Sequence, residues 1–240
     1  MVGIFKTIAS IIIWPIWFLF FVPSLFLLFI LIYIIPRKHF HFIIRPISWL
    51  YCFFAGQWLI KENNPPPIDG QPYLYLFNHV SMFDQFMVGA FISHYLTAIG
   101  ATEIFKYPVW GQLLKKYGAI PIKRKRLKSA IKSLHLVEEA IHKGDSFIIA
   151  PEGTRTLNGE MGLFKKGPFH IAKNTGITIV PIALLGAFEA KRKNDWRLSP
   201  GFITTRFGTP ISKNEYKDLS VDELSDLIKS KIQALLKGED

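Results

Sequence analysis

Hydrophobic residues are unevenly distributed along the chain, and the longest apolar stretch lies near its N-terminal end. Residues 7–36 contain no charged side chain, and as a helix residues 8–35 would extend roughly 42 Å, more than the ~30 Å hydrocarbon core of a bilayer. We therefore predict a membrane-embedded helix in this stretch. Pro15 and Pro23 lie within it and would bend it, which leaves both a spanning and a re-entrant path open.

A second apolar stretch, residues 40–60, is less uniform than the first. It contains Arg45 and Pro46 near its start, together with tryptophan and tyrosine residues of the kind favoured at the interface between lipid and water. Three interpretations are open: a return helix, an interfacial helix, and a helix that packs on the first one. We interpret residues 1–60 as an N-terminal membrane anchor that contains a membrane-embedded helical pair.

Basic residues around the first apolar stretch indicate its orientation. Only Lys6 precedes this stretch, whereas Arg37, Lys38 and Arg45 follow it. Because basic residues are enriched on the cytoplasmic side of membrane proteins, the remainder of the chain is predicted to lie there, for a single crossing and for a hairpin alike. The expected location is a membrane, which in a bacterium is the inner or plasma membrane, with the larger domain on the cytoplasmic side.

Three prolines at 65–67 indicate a linker, and we place a domain boundary between residues 60 and 61. In residues 61–240, short apolar runs alternate with amphipathic segments. The predicted strands are Tyr73–Phe77, Leu96–Ala101, Ala119–Lys123, Ser146–Ala150, Ile177–Leu184 and Phe202–Phe207. The predicted helices are Gln85–Tyr95, Pro108–Tyr117, Lys128–Lys143, Gly167–Asn174 and Val221–Leu236. This alternation is typical of an α/β domain with a mostly parallel central sheet flanked by helices, whose functional residues gather beyond the carboxyl ends of the strands.

Composition and charge restrict the possible functions. The net charge of +11 favours an anionic partner, such as a membrane surface, a nucleic acid or a phosphorylated substrate. The single cysteine, Cys52, rules out an intrachain disulfide and a cysteine cluster for zinc, and the histidines lack metal-ligand spacing. The sequence contains no phosphate loop, dinucleotide fingerprint or nucleic-acid-binding motif, so we expect no metal, no cofactor and no nucleic-acid partner.

A candidate catalytic pair lies between Asn78 and Asp84, directly after the predicted strand Tyr73–Phe77. His79 would lie at the carboxyl end of this strand and Asp84 in the first turn of the next helix, which is the outline of a general base with an orienting carboxylate. Ser81 and Asp84 also have the spacing of a capping box, with Ser81 as the N-cap. The alternative is that Asp84 only caps the helix and that His79 is a polar loop residue.

A second polar stretch, residues 151–156, follows the fourth predicted strand. Gly153 would let the backbone approach a ligand closely, and Arg155 could hold a phosphate through two parallel hydrogen bonds. Thr154 and Thr156 add hydroxyl donors. Taken alone, the stretch is more typical of an ordinary polar turn with an exposed arginine.

Together, the two polar stretches resemble the 1-acylglycerol-3-phosphate acyltransferase family, which is a family of lysophospholipid acyltransferases. The resemblance rests on Asn78-His79-x-Ser81-x-x-Asp84 and Glu152-Gly153-Thr154-Arg155, with Gly118–Arg124 and Ile179–Ile182 similar to the family's intermediate and last blocks. It extends over about residues 73–210. An N-terminal membrane-binding helical pair is also common in that family.

The resemblance implies a glycerolipid acyltransferase-like fold and the transfer of an acyl group from an acyl thioester, on coenzyme A or acyl carrier protein, to the free hydroxyl of a lysophospholipid. For 1-acylglycerol 3-phosphate the product is phosphatidic acid. His79 would take the proton of the acceptor hydroxyl, and Asp84 would hold the imidazole. Basic side chains would hold the acceptor phosphate, and the residues expected to bind substrate are Lys123, Arg124, Glu152, Gly153, Thr154 and Arg155.

Other functions remain open on the sequence. A lipid hydrolase would use Ser81 as its nucleophile, and a non-catalytic protein would only bind anionic lipid. Lys123 stands where the family often has an acidic residue, and Thr102 where it often has a lysine, so a different lysolipid acceptor is also possible. The expected partners are membrane lipids, a lysophospholipid, and acyl-CoA or acyl carrier protein.

Overall fold

The structure is a computed structural model that describes residues 2–123 and 127–239. Two long helices come first, α1 (Val2–Leu31) and α2 (Arg37–Phe54). The strands of the described part are β1 (Gln57–Glu62), β2 (Tyr73–Phe77), β3 (Leu96–Ala101), β4 (Ile120–Ile122), β5 (Ser146–Ile149), β6 (Thr178–Leu185) and β7 (Gly201–Phe207). The later helices are α3 (Asp84–Phe91), α4 (Pro108–Tyr117), α5 (Leu127–His142), α6 (Gly167–Thr175), α7 (Ala187–Ala190), α8 (Lys213–Tyr216) and α9 (Val221–Lys237), with a 3₁₀ helix at Thr102–Lys106.

The strands form one sheet in the order β1-β7-β6-β2-β5-β3-β4. All neighbouring strands are parallel except β6 and β7, which are antiparallel. The carboxyl ends of β6, β2 and β5 therefore meet at the same edge of the sheet. The predicted α/β fold with a mostly parallel central sheet is confirmed.

Strand β2 lies at the centre of the sheet and is buried along its whole length. Its tyrosines and Phe77 belong to the core on one face of the sheet, and Leu74 and Leu76 belong to the core on the other. A strand buried on both faces is a continuous apolar run, because helices cover both sides of a parallel sheet. Here α1, α2 and α3 cover the first face, and α5, α6 and α9 cover the second.

Helix α1 continues through Pro15 and Pro23 and exposes many of its apolar side chains. Among the described residues, the segment Gly3–Leu31 is the one helix that is long and apolar enough to cross a membrane. Helix α2 does not meet that criterion. The structure therefore contains the first predicted apolar helix, whereas a membrane-embedded helical pair stays a prediction.

The apolar stretch at residues 40–60 is not a single helix, which corrects our interpretation of the sequence. Helix α2 ends at Phe54, Gly56 adopts a φ of 74°, and β1 then forms an edge of the sheet. β1 pairs in parallel with β7, and the Gln57 side chain donates a hydrogen bond to the carbonyl of Ser199 at 2.9 Å. The domain boundary between residues 60 and 61 stays a prediction, and β1 runs across it.

Candidate active site

Three loops meet where β6, β2 and β5 end, and backbone hydrogen bonds tie them together. The loop after β2 contains His79, and its carbonyl accepts a hydrogen bond from the amide of Thr156 in the loop after β5 at 2.9 Å. Asn78 joins the same loop to β6, because its side chain accepts the amide of Leu184 at 2.8 Å and donates to the Leu184 carbonyl at 3.0 Å. These bonds fix the position of His79 relative to both neighbouring strands.

His79 and Asp84 form the predicted pair. The ring Nδ1 of His79 lies 2.7 Å from Oδ2 of Asp84. A carboxylate can only accept, so Nδ1 is the protonated nitrogen and Nε2 keeps its lone pair. The side chain of His79 is 23% exposed and that of Asp84 1% exposed. The pair therefore combines a partly accessible imidazole with a buried carboxylate, an arrangement that is compatible with a general base.

The buried carboxylate of Asp84 also closes the turn that precedes α3. It accepts the backbone amide of Val80 at 2.9 Å and that of Ser81 at 3.0 Å. Complete burial raises the pKa of Asp84, and the hydrogen bonds from the His79 ring and the two amides oppose this rise. The carboxylate is thus held in one orientation by three donors.

The predicted capping role of Ser81 is wrong. Helix α3 begins at Asp84 with Phe83 as its N-cap, so Asp84 is the first helical residue and not the third. The Ser81 hydroxyl is fully buried and donates to the backbone carbonyl of Lys191 at 3.1 Å. The turn is closed by the Asp84 carboxylate, so the hydroxyl of Ser81 serves instead to join the loop after β2 to residue 191.

Glu152 contacts the backbone of the loops around the pair. Its Oε1 accepts the amide of His79 at 2.7 Å, and its Oε2 accepts the amide of Gly162 at 2.9 Å. The residue is 5% exposed. Burial raises the pKa of Glu152, and the two amide hydrogen bonds lower it. The structure thus gives both carboxylate oxygens backbone partners, one of them at the candidate base itself.

The other members of the loop after β5 lie nearer to solvent. Gly153 has a φ of 72°, a conformation that side chains other than glycine rarely adopt. Thr154 is exposed and Arg155 is half-buried. Thr156 is buried, and its hydroxyl accepts the amide of Gly159 at 3.1 Å. Arg155 therefore emerges from a loop whose two ends are fixed by hydrogen bonds.

Lys123 lies apart from these residues. It is exposed and directly follows β4, the edge strand of the sheet. Two strands, β5 and β3, separate β4 from β2, so three strand spacings correspond to about 14 Å. Arg124 lies outside the residues that the structure describes. The structure therefore brings His79, Asp84 and the Glu152–Arg155 loop together, with Lys123 farther along the same edge.

A third loop, after β6, contributes cations that sequence reasoning missed. Lys193 donates a hydrogen bond from its ammonium to the hydroxyl of Thr154 at 2.8 Å. Lys191 is 8% exposed and accepts the Ser81 hydroxyl through its carbonyl. The sequence does contain a signal for these cations, because the basic run Lys191-Arg192-Lys193 follows the carboxyl end of a predicted strand.

An apolar cavity of about 130 Å³ lies between the sheet and helices α1 to α4. Gln85, the neighbour of Asp84, contributes to its wall. The apolar lining includes Leu28, Ile47, Phe86, Leu113 and Ile148. Among residues 2–123 and 127–239, no three His, Cys, Asp or Glu side chains come together in a way that could hold a metal ion.

The structure thus has a mostly parallel sheet with a histidine–aspartate pair and an arginine-containing loop at one edge. Residues 59–185, more than half of the chain, match the sequence model of the family described as Acyltransferase. A 1-acyl-sn-glycerol-3-phosphate acyltransferase of Pseudomonas aeruginosa is 30% identical over 197 residues, which are 79% of this chain and 74% of that protein. The chain belongs to this acyltransferase family.

Two further relatives show how far the similarity extends. A 1-acyl-sn-glycerol-3-phosphate acyltransferase of Cocos nucifera is 34% identical over 188 residues, which cover 75% of this chain and 60% of that protein. The chain thus spans less than two thirds of this plant relative. The crystal structure of the 1-acyl-sn-glycerophosphate acyltransferase PlsC of Thermotoga maritima superposes with a TM-score of 0.81, covering 99% of this chain and 98% of that one. At 19% identity, this likeness concerns the fold.

Proposed function

We propose that this protein transfers a fatty acyl group from an acyl thioester to the free hydroxyl of a lysophospholipid, with 1-acylglycerol 3-phosphate as the acceptor and phosphatidic acid as the product. The observation that carries the proposal is the hydrogen bond of 2.7 Å between His79 Nδ1 and the buried Asp84 carboxylate. The relatives from Cocos nucifera and Pseudomonas aeruginosa, which are described as 1-acyl-sn-glycerol-3-phosphate acyltransferases, support the choice of acceptor.

The proposed reaction needs one base and no covalent enzyme intermediate. Nε2 of His79 takes the proton of the acceptor hydroxyl while its oxygen attacks the thioester carbonyl carbon. The tetrahedral intermediate collapses with cleavage of the carbon–sulfur bond, and the imidazolium returns the proton to the leaving thiolate. Because the thioester is already activated, the enzyme only has to align the two substrates and move this proton.

Asp84 and Glu152 act on His79 from two sides in this mechanism. The Asp84 carboxylate keeps the proton on Nδ1 and stabilises the imidazolium that forms during attack. Glu152 holds the backbone of His79 through the bond of 2.7 Å to its amide. Ring orientation and main-chain position are therefore fixed before the substrates bind, which lowers the reorganisation that the reaction requires.

We assign a separate part of the structure to each substrate. Arg155 supplies a guanidinium for the acceptor phosphate, since planar donors bind phosphate oxygens in a bidentate manner. The apolar cavity next to Gln85 supplies an environment for an acyl chain. We propose coenzyme A or acyl carrier protein as the carrier of the thioester, with no further cofactor. We also propose that Lys123 and Arg124 contact the substrate farther along the same edge of the sheet.

We propose further that α1 lies in one leaflet of the membrane on the cytoplasmic side. The ammonium of Lys6 lies 3.8 Å from the carboxylate of Asp195, and the ammonium of Lys116 lies 4.6 Å from the ring centre of Tyr33, just after α1. The α/β domain thus contacts α1 near both ends of a helix about 45 Å long. A transbilayer path would pull this polar domain into hydrocarbon, whereas an interfacial path exposes the outer apolar face of α1 to lipid.

A substrate panel tests the proposed activity. Purified full-length protein in phospholipid vesicles is incubated with labelled acyl-CoA or acyl carrier protein thioesters and with a series of lysolipids. We expect label in phosphatidic acid when 1-acylglycerol 3-phosphate is the acceptor. Release of free fatty acid without transfer to any lysolipid would contradict the proposal and favour a hydrolase.

A further inference from the structure

Lys191 is a buried cation with no ion-pair partner among the described carboxylates. It is 8% exposed, and its ammonium donates to the backbone carbonyl of Arg192 at 2.8 Å. Every ion pair within residues 2–123 and 127–239 involves other basic residues. A buried charge is costly unless it is paired, so an anion that binds next to this ammonium would be stabilised by it.

Asp195, the carboxylate whose charge raises the pKa of Lys191, already binds other basic side chains. Asp195 accepts two hydrogen bonds of 2.9 Å from the guanidinium of Arg197, one on each of its oxygens. The ammonium of Lys6 is a second cation near Asp195, at 3.8 Å from its Oδ2. The single negative charge of Asp195 is therefore shared between Lys6 and Arg197. Together with Lys191, these residues carry three positive charges against this one negative charge.

Lys191 is also held close to the reaction centre. Its backbone carbonyl accepts the hydroxyl of Ser81, two residues from the candidate base, at 3.1 Å. Two residues later, Lys193 bonds to Thr154, which adjoins Arg155. Burial lowers the pKa of the Lys191 ammonium, and the nearby guanidinium of Arg155 lowers it further. The backbone of residue 191 thus lies against the loop that carries His79, and the charge of Arg155 acts on the Lys191 ammonium from a separate loop.

We propose that Lys191 and Arg155 together bind the phosphate monoester of the acceptor, which makes Lys191 a specificity-determining residue for acceptors with a phosphate monoester. The inference rests on the proposed function. A phosphate monoester carries about −1.5 to −2 charge near pH 7, so two cations match it better than one. In 1-acylglycerol 3-phosphate, only a glycerol carbon–carbon bond and an ester oxygen separate the reacting hydroxyl from the phosphate. The phosphate site must therefore lie next to the base, whereas the phosphates of coenzyme A lie far from the thioester.

The test compares Lys191→Met, which removes the charge and keeps the length, with Lys191→Arg, which keeps the charge. Lys143→Met, at an exposed position of the opposite sheet edge, is the matched control for the loss of one positive charge. Steady-state kinetics with 1-acylglycerol 3-phosphate and acyl-CoA give a KM for each substrate. Thermal unfolding checks each variant, and Lys191→Gln, whose amide can still donate to the Arg192 carbonyl, replaces Lys191→Met if that variant does not fold.

We expect Lys191→Met to raise the KM for 1-acylglycerol 3-phosphate by about tenfold to a hundredfold, as the loss of a charge-assisted hydrogen bond implies. The KM for acyl-CoA should stay unchanged, and Lys191→Arg should restore most of the acceptor affinity. An unchanged acceptor KM, or a rise in the KM for acyl-CoA instead, would overturn the inference.

A binding experiment separates this inference from the proposed function. Titration calorimetry in detergent micelles measures the binding of 1-acylglycerol 3-phosphate and of uncharged 1-acylglycerol to His79→Ala protein, with and without Lys191→Met. We expect Lys191→Met to weaken binding of the phosphate monoester alone. If wild-type protein transfers no acyl group but this difference persists, the function is wrong and the phosphate site stands. If both lipids bind equally with and without Lys191→Met, the phosphate site is wrong.

Discussion

The carboxylate of Glu152 accepts the backbone amide of His79 at 2.7 Å, although the two residues are 73 positions apart in the sequence. Its second oxygen accepts the amide of Gly162 at 2.9 Å. One buried carboxylate therefore fixes the position of His79 relative to Gly162, which lies in the same loop as Glu152. Glu152 acts in our account as a positioning residue for His79.

Glu152→Gln should lower turnover and stability together. A glutamine oxygen can accept one amide, but its NH2 group cannot accept the other, so one buried N–H loses its partner and unfolding requires about 1–3 kcal/mol less. We expect kcat to fall more than the acceptor KM changes, because the base is displaced while the phosphate site remains. Glu160→Gln, at an exposed position of the same loop, is the control. A Glu152→Gln enzyme with wild-type kcat would contradict this positioning role.

Ser81→Ala distinguishes a structural serine from a nucleophile. The hydroxyl is fully buried and donates to the carbonyl of Lys191, so its removal should cost about 1 kcal/mol of stability and leave most of the turnover. Ser220→Ala, which removes the N-cap of α9, has a similar expected cost far from the site and serves as the control. Loss of all activity in Ser81→Ala alone would favour a serine hydrolase.

The stability of the protein should depend on pH through His41. This buried ring accepts the hydroxyl of Tyr117 on Nδ1 at 2.6 Å and donates from Nε2 to the carbonyl of Ile92 at 2.9 Å. Burial lowers the pKa of His41 to about 4, below its usual value of 6.5. The unfolded chain therefore binds the proton more strongly, and stability present above pH 6.5 is lost as the pH falls toward 4.

Urea unfolding in detergent at pH 7.5 and pH 5 measures this effect. Between these values His41 should contribute about 2 kcal/mol of lost stability. His41→Gln keeps a hydrogen-bonding side chain without a titratable ring, so it should lose correspondingly less stability on acidification. Parallel losses in the wild-type protein and in His41→Gln would exclude His41 as the source.

Local sequence signals predicted the elements that depend on nearby residues. The helix Pro108–Tyr117 was predicted at both ends because Pro108 suits a first turn and Gly118, with a φ of 99°, suits the residue after a helix. The continuous apolar run of β2 likewise defined a buried strand. In contrast, β1 was missed because its partner β7 lies more than a hundred residues later, and an apolar run beside a helix gives no sign of that pairing.

The candidate site was predictable to a similar degree. His79 and Asp84 are only five residues apart and are joined by one turn, so their spacing in the sequence could indicate that they pair. The direction of the Glu152 carboxylate and the contact of Lys193 with Thr154 depend on the order β6-β2-β5, which no local pattern contains. For the same reason, sequence reasoning could not determine that the Ser81 hydroxyl bonds to residue 191 and not to α3.

The central claim is that His79 acts as a general base whose orientation Asp84 controls. The most direct test measures kcat for acyl transfer to 1-acylglycerol 3-phosphate in His79→Ala and Asp84→Asn proteins. Both variants are reconstituted in vesicles and compared with the wild-type protein at matched membrane binding. We predict that kcat falls by about 10²- to 10⁴-fold in each, the range that general acid–base catalysis supplies. Wild-type kcat in His79→Ala protein would contradict the account.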